Sequence, residues 1–533
     1  MPATLVLRGG TVIDGTGATP RVADVAVDGD RIVAVGDLEA TVDAAELDAR
    51  GHVVAPGFVN VLSHAWGSLQ RDGSGGSDLL QGVTTEVFGE AFSLGPTDGR
   101  LTEAMRPWGG LGGDARVEFD RLSQGLDHLQ GLGVAPNVAS FIGGMNLRVL
   151  GAGFDDRPLD PAELDRLRTL VDEEMADGAL GIGTALIYPP GRFARTDELI
   201  ELSKVVGRHG GTYISHMRSE GDQFLECLDE LLTIGREAEC RTEVWHLKAA
   251  GRHNWPKMKV AIERIDEARS AGQPVAANMY PYTAGGTSLS AAIPPQFHVG
   301  GPAALVERLT DPALRAQMAA AMRSPSDEFE NLFYGAGFGS GILFLDDLPD
   351  GTTTAGKRLD EVARELGLEP ADALLEIVAR DPGKGALYFL MDEDNVRLGL
   401  SQPWVSIGSD AEAHAAVPPC TDGATHPRTY GTFARFLGHY CRDEGLVPLT
   451  EAVRRMTSLP ADNFGLLDRG RLQSGRFADL VVFDADSVVD RATYDEPHQY
   501  AAGMRHVVVN GRVVVRDGEI TTERPGRRLR RGA

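Results

Sequence analysis

Three residues in this chain have both the type and the position for hydrolytic chemistry. His216 stands in Gly211-Thr212-Tyr213-Ile214-Ser215-His216-Met217-Arg218, His246 in Thr242-Glu243-Val244-Trp245-His246-Leu247-Lys248, and Asp410 closes Trp404-Val405-Ser406-Ile407-Gly408-Ser409-Asp410. Each follows an apolar, β-rich run and is expected at a strand end. Imidazoles hold a divalent ion and a carboxylate moves protons, which are the parts that metal-assisted hydrolysis of a small molecule needs. Parallel strands closed into a barrel bring their carboxyl ends to one mouth, so that is where the three must meet.

The elements that would position them are legible as alternating apolar runs and helix-like segments, the pattern of a parallel sheet with helical crossovers. Strands are expected at 57–65, 84–90, 138–144, 179–185, 211–217, 243–249, 275–282 and 404–411. The fold class is therefore α/β, a (β/α)8 TIM-like barrel. One crossover helix is explicit over 222–239, where Phe224, Leu225, Leu228, Leu231, Leu232 and Ile234 recur at helical spacing. Short β-rich runs with Gly and Asp turns fill the first fifty residues, and the same texture returns late, with an Asn510-Gly511 hairpin signal. Neither end makes a stable sheet alone, so a β-sandwich built from both termini is expected over 1–56 plus 470–533. The barrel takes 57–285 plus 356–469. The stretch between Tyr282 and Trp404 is too long for a crossover, which places an insertion, 286–355, after strand seven and makes it a candidate lid over the mouth.

At 533 residues, with 42% hydrophobic residues, the chain can bury a large core. A net charge of -25 argues against nucleic acid and against an acidic membrane surface as partners. The basic run from Arg524 to Arg531 is the exception and reads as a solvated end. Four cysteines, Cys227, Cys240, Cys420 and Cys441, show no metal or disulfide spacing, and with no apolar run of membrane length or leader pattern a cytoplasmic location is expected.

A longer framework then comes into view: Ala55-Pro56-Gly57-Phe58, Gly82-Val83-Thr84-Thr85, Ser215-His216-Met217-Arg218, His246-Leu247-Lys248-Ala249-Ala250-Gly251, Tyr280-Pro281-Tyr282-Thr283-Ala284-Gly285, Gly408-Ser409-Asp410 and His426-Pro427-Arg428-Thr429-Tyr430-Gly431. In this order it resembles the amidohydrolase superfamily and, more narrowly, the D-aminoacylases, over nearly the whole chain. Two positions depart from that pattern. The usual Asp-x-His-x-His of the first strand is Asn60-Val61-Leu62-Ser63-His64, so its first histidine is a leucine that cannot ligate, and the cysteine expected after the second strand is absent from Val87-Phe88-Gly89-Glu90-Ala91-Phe92.

Glu90 is the nearest replacement, a carboxylate of the same charge as a thiolate, and would complete a ligand set with His216 and His246. With Leu62 in place one ion per chain is expected, most simply Zn²⁺, leaving His64 to the pocket. The resemblance further implies Asp410 as general base and then acid, and Lys248, Tyr280 or Tyr282, and Arg428 as the groups that hold substrate. His414 and His426 read as structural. The activity implied is deacylation of an N-acyl amino acid, plausibly of D configuration. Two alternatives stay open at this point: hydrolysis of a cyclic amide or lactone, and a metal-free binding protein on the same scaffold.

Overall fold

The structure, a computed structural model, describes residues 3–38, 44–105, 119–418, 420–421 and 423–532, so the outermost residues of the expected terminal segments lie outside it. All eight expected barrel strands are present, shorter than the apolar runs that announced them: Phe58–Asn60, Val83–Phe88, Asn137–Ser140 continued by Ile142–Gly143, Gly181–Ala185, Thr212–His216, Arg241–Val244, Val275–Met279 and Val405–Ile407. Neighbours pair in parallel, as in Ala185 with His216 and Ala277 with Val405. The third strand is bent at Phe141, one half pairing with the second strand and the other with the fourth. The eighth strand closes on the first through the Ser63–Ala411 bridge, with Asp410 N donating to Leu62 O at 2.9 Å and His64 N to Ala411 O at 2.9 Å. Closure therefore sets His64 beside Asp410 at the carboxyl mouth.

The crossover helix expected over 222–239 runs from Phe224 to Ala238 and buries Phe224, Leu228, Leu231, Leu232 and Ile234 against the barrel. This is the ordinary way an apolar stripe of period 3.6 is used.

Strands from both ends of the chain form one nine-stranded sheet, joined where Val53–Pro56 pairs antiparallel with Leu480–Phe483. Alternate residues, among them Leu5, Leu7, Val25, Val27, Leu480, Val482 and Val508, share one apolar core. Bulges between Leu7 and Gly10 and between Val507 and Val508 add local bends and twist to these strands. The Asn510-Gly511 turn is a two-residue hairpin with both residues at positive φ, 48° and 75°.

Two expectations need correction. The insertion extends well past residue 355: Ala284–Ser288 pairs with Gly385–Phe389, which pairs with Ile342–Phe344, and the helices Leu359–Leu366 and Pro370–Arg380 bury Val362, Leu374, Leu375 and Ile377 in the insertion's own core. The hydrophobic stripes of these helices face that core and not the barrel. The basic tail is docked instead of solvated. Val138 N donates to Arg527 O at 2.9 Å, Leu529 N to Val138 O at 2.8 Å and Arg531 N to Gly178 O at 3.1 Å, while Arg528 pairs with Asp127 and Asp177. It covers the amino-terminal end of the barrel, where the strand at Val138, the helix Leu122–Leu132 and the turn at Asp177 and Gly178 present backbone groups and acids to it. No helix among the described residues is long and apolar enough to cross a membrane.

Candidate active site

Glu90 lies at the centre of the mouth. Its strand ends at Phe88, and the chain turns at Gly89, with φ of 109° and so close to Phe141 that a Cβ would fall 2.5 Å from the Phe141 carbonyl oxygen. Only glycine fits there, and the turn carries Glu90 into the barrel. Three imidazoles meet its carboxylate: His216 Nδ1 at 3.1 Å and His246 Nε2 at 3.0 Å from Oε1, and His64 Nε2 at 3.2 Å from Oε2. All but His64 are buried.

Other groups hold these residues. His246 N donates to Asn278 Oδ1 at 2.8 Å, and Glu220 Oε1 lies 3.0 Å from His246 Nδ1, which turns Nε2 toward Glu90. Lys248 Nζ reaches both Glu220 Oε2 and His246 Nδ1 at 2.6 Å. On the other side, Asp410 Oδ1 is 2.9 Å from His64 Nε2, and Oδ2 forms an ion pair of 2.8 Å with Arg428 Nη1. Asn60 clamps the preceding residue, accepting from Ser409 N at 2.9 Å and donating to Ser409 Oγ at 2.8 Å. Ala91, His246 and Asp410 take left-handed φ values of 62°, 35° and 51°. Such conformations in non-glycine residues gather where surrounding contacts impose a geometry, as active sites do.

The electrostatics follow from burial and pairing. Burial pushes the Glu90 carboxyl up, but the His246 charge and hydrogen bonds from His216, His246 and His64 hold it well below the usual range. Burial opposes the charge on His64, yet Asp410 and Glu90 outweigh it and raise the ring to about 10. His246 is raised to about 9, with burial and Lys248 opposing and Glu220 and Glu90 prevailing. Asp410 is brought down to about 2, burial notwithstanding, chiefly by Arg428 and His64. It is therefore an ionised carboxylate near neutral pH.

The donor set fits a divalent metal ion. Glu90, His216 and His246 each offer an atom, all within 4.8 Å of one another, and His216 Nε2 is buried without a hydrogen-bond partner among the described residues. Two imidazoles and a carboxylate are the ligand types that zinc favours. His64, Glu90 and Asp410 make another such group around the same carboxylate, and His216, Glu220 and Glu330 a third.

The site opens into a cavity of about 340 Å³ lined by His64, Glu90, His216, His246, Lys248, Tyr280 and Asp410. A larger depression of about 990 Å³ adjoins it at Asp410 and carries Arg428, but it holds none of the three imidazoles, so the chemistry belongs to the smaller one. Tyr280 and Tyr282 part company. Tyr280 lies under Arg428, 4.6 Å from ring centroid to guanidinium carbon, with its buried hydroxyl unpartnered among the described residues. Tyr282 turns away from the cavity to pack on His426 and Arg435. His64 does more than line the pocket, since it touches both Asp410 and Glu90. His426 bonds Ala284 O at 2.9 Å and His414 faces Glu412 at 3.0 Å, so neither joins the three central imidazoles.

Two acids that line the cavity escaped the sequence reading. Glu220 stood in view, four residues beyond His216 in Ser215-His216-Met217-Arg218-Ser219-Glu220. Glu330 arrives from the insertion and accepts Glu220 N–H at 2.6 Å; burial pushes its pKa up to about 7. Nothing local marked it.

An ionised strand-end aspartate beside convergent metal donors at the mouth of a parallel barrel defines a metal-dependent hydrolase. An amidohydrolase family model matches residues 349–515. D-aminoacylase of Alcaligenes xylosoxydans xylosoxydans is 37% identical, over 100% of this chain and 98% of that protein. A D-aminoacylase crystal structure superposes with a TM-score of 0.83 at 36% identity, covering 99% of this chain and 100% of the other. An N-acyl-D-glutamate deacylase from Bordetella bronchiseptica, complexed with zinc and a phosphonate inhibitor, gives 0.82 at 32% identity with the same coverage. The chain belongs to the amidohydrolase family, in its D-aminoacylase branch, and is a metal-dependent enzyme acting on carbon–nitrogen bonds other than peptide bonds.

Proposed function

We propose that this enzyme deacylates N-acyl-D-amino acids, with one Zn²⁺ held by Glu90, His216 and His246. The observation that carries the proposal is the meeting of three imidazoles on Glu90 next to an ionised Asp410, in a chain similar from end to end to deacylases of that substrate class. An ion held there supplies Lewis acidity, polarising the scissile carbonyl and bringing the pKa of water to about 7.

The chain's own residues do the rest. Arg428 fixes Asp410 Oδ2 and leaves Oδ1, facing His64, to take the proton of the attacking water. Asp410 then returns that proton to the departing amine, acting as general base and then acid. Glu220 keeps the His246 ring oriented and anchors Lys248 at the cavity wall. The unpartnered Tyr280 hydroxyl donates to a substrate oxygen, and Lys248 and Arg428 supply positive charge for its carboxylate. His64 steadies Asp410. Tyr282 is left to packing. Four free cysteines, three of them buried, support a reducing compartment, and we place the enzyme in the cytoplasm.

The test is amine release from matched N-acetyl-D- and N-acetyl-L-leucine, -methionine and -phenylalanine by zinc-loaded enzyme, with elemental analysis of the same sample. Turnover of the D series and about one zinc per chain is the expected result. Preference for the L series, or no turnover in either, would sink the proposal.

A further inference from the structure

Behind Asp410, where the first, second and eighth barrel strands meet, lies a group of buried polar side chains that the mechanism above does not use. Asp78 stands on the short helix Gly76–Leu79, and Glu86 on the second strand opposite Asn60 of the first. Asn60, Asp78, Gln81 and Glu86 are each 1% exposed or less. Asn60 Nδ2 lies 3.0 Å from Asp78 Oδ2 and 3.0 Å from Glu86 Oε2. Among the described residues no lysine, arginine or histidine pairs with either acid. Burial, and then the Glu86 charge, raise the Asp78 carboxyl well above the usual range, and burial raises Glu86 to about 7, so near neutral pH the two hold a proton between them. Two buried acids without a cation weaken a fold relative to apolar residues of the same volume. Their contacts point to another use.

From Asp78 two arms reach the two sides of the catalytic carboxylate. Asn60 Oδ1 accepts from the N–H of Ser409, the residue before Asp410, at 2.9 Å. Gln81 Nε2 lies 3.3 Å from Asp78 Oδ1 and donates to Thr429 O at 3.2 Å, while Gln81 Oε1 accepts from Phe433 N at 2.9 Å. Thr429 and Phe433 belong to the helix Arg428–Arg435, whose first residue pairs with Asp410 Oδ2 at 2.8 Å. Each member of that ion pair therefore has a chain neighbour tied to Asp78 through a side-chain amide. An amide has a donor end and an acceptor end, so an acid held at the donor end fixes which way it faces.

We propose that Asp78 is a positioning residue for the reaction: through Asn60 and Gln81 it sets Asp410 and Arg428 against each other, holding Oδ2 on the guanidinium and leaving Oδ1 for the proton. The inference rests on the deacylase reading, in which Asp410 carries that proton.

The experiment is a donor–acceptor swap. Asp78→Asn turns an amide donor toward one of the two amides it holds, and Asn60→Asp brings a third carboxyl into the group. The double variant restores one acid and one amide at unchanged charge. Measured for each are kcat and KM of the zinc-loaded, full-length enzyme on N-acetyl-D-methionine, zinc content, and amide hydrogen exchange across residues 405–411. Each single variant is expected to lower kcat about tenfold or more at constant KM and zinc content and to speed the exchange, and the double variant to recover most of both. A kcat within about twofold of the unmodified enzyme in both singles, a loss matched by lost zinc, or a double variant no better than the singles overturns the proposal.

Gln81→Met keeps the length of the side chain and cuts only the arm to the Arg428 helix, so it decides the matter if a single variant of the pair fails to fold. A fall in kcat at constant KM is expected, and an unchanged kcat overturns the proposal. If the unmodified enzyme releases amine from no N-acetyl-D-amino acid, the deacylase reading falls, and the exchange across 405–411 still decides whether Asp78 places Asp410.

Discussion

The two mouths of the barrel are both rich in buried polar groups and are wired in opposite ways. At the amino-terminal mouth the groups answer one another: Asn137 donates to Asp479 at 3.2 Å, Asn510 donates to Asn137 at 2.8 Å and its N–H to Asp479 at 2.8 Å, Arg469 pairs with Asp479, and the C-terminal tail adds its own backbone. At the carboxyl-terminal mouth three imidazoles compete for Glu90, the buried His216 Nε2 and Tyr280 hydroxyl have no hydrogen-bond partner among the described residues, with Glu220 Oε2 no nearer than 3.5 Å to the former, and Ala91, His246 and Asp410 sit at left-handed φ. A polar cluster that serves stability satisfies itself. One that serves chemistry leaves groups for something else to satisfy, and the surrounding structure bears the cost.

The largest expected effect lies at the upper mouth. Asp410→Asn keeps the shape and removes the base, so kcat should fall by about a thousandfold or more while metal content and melting temperature hold. A variant that retained activity would break the contrast at its catalytic end. Next, Glu90→Gln keeps the volume but loses the charge that three imidazoles share; zinc affinity, read by competition with a chromophoric chelator, should weaken about a hundredfold or more.

At the lower mouth the sign of the effect changes from chemistry to stability. Truncation before Arg524 removes five backbone hydrogen bonds, from or to Gly526, Arg527, Leu529, Arg531 and Gly532. A loss on the order of 3 kcal/mol is expected in denaturant unfolding, with kcat per folded molecule unchanged. If truncation instead abolished activity in molecules that remain folded, the separation of the two mouths would be wrong.

The smallest effect per measured step is a pH slope. His246 must give up its proton to bind a metal ion, and with its pKa raised to about 9 the apo protein holds that proton at neutral pH. Zinc affinity measured from pH 6 upward should therefore rise about tenfold per unit and level off near 9. The same raised pKa makes its contribution to apo-protein stability full below about 6.5 and lost as pH climbs through about 9, because the folded chain keeps a proton that the unfolded chain releases earlier. A flat affinity profile would mean that no proton leaves His246 on loading.

How much of this was written in the chain varies from residue to residue. The barrel strands were legible because apolar runs of strand length recur between helical periods, and the helix Phe224–Ala238 was legible for the same reason. Tyr280 and Tyr282 show where that logic stops. Two residues apart, they would share a face on a strand, but the strand ends at Met279 and the chain turns, so one faces the cavity and the other packs away from it. The tail shows another limit. Composition alone reads arginines as solvated, and the carbonyl and acids that bind them come from the helix Leu122–Leu132 and from two helix ends at Asp177 and His209, which no local pattern joins.

The sequence by itself determined the strand order, the two-ended β-sandwich and the identities of His216, His246 and Asp410, since hydrophobic period and residue type are properties of neighbouring residues. Tertiary structure alone decided that His64 would meet Asp410, that Glu220 and Lys248 would brace His246, that Glu330 would reach in from the insertion and that the tail would close the opposite end. Those contacts join residues far apart along the chain, and only closure of the barrel brings their side chains within bonding distance.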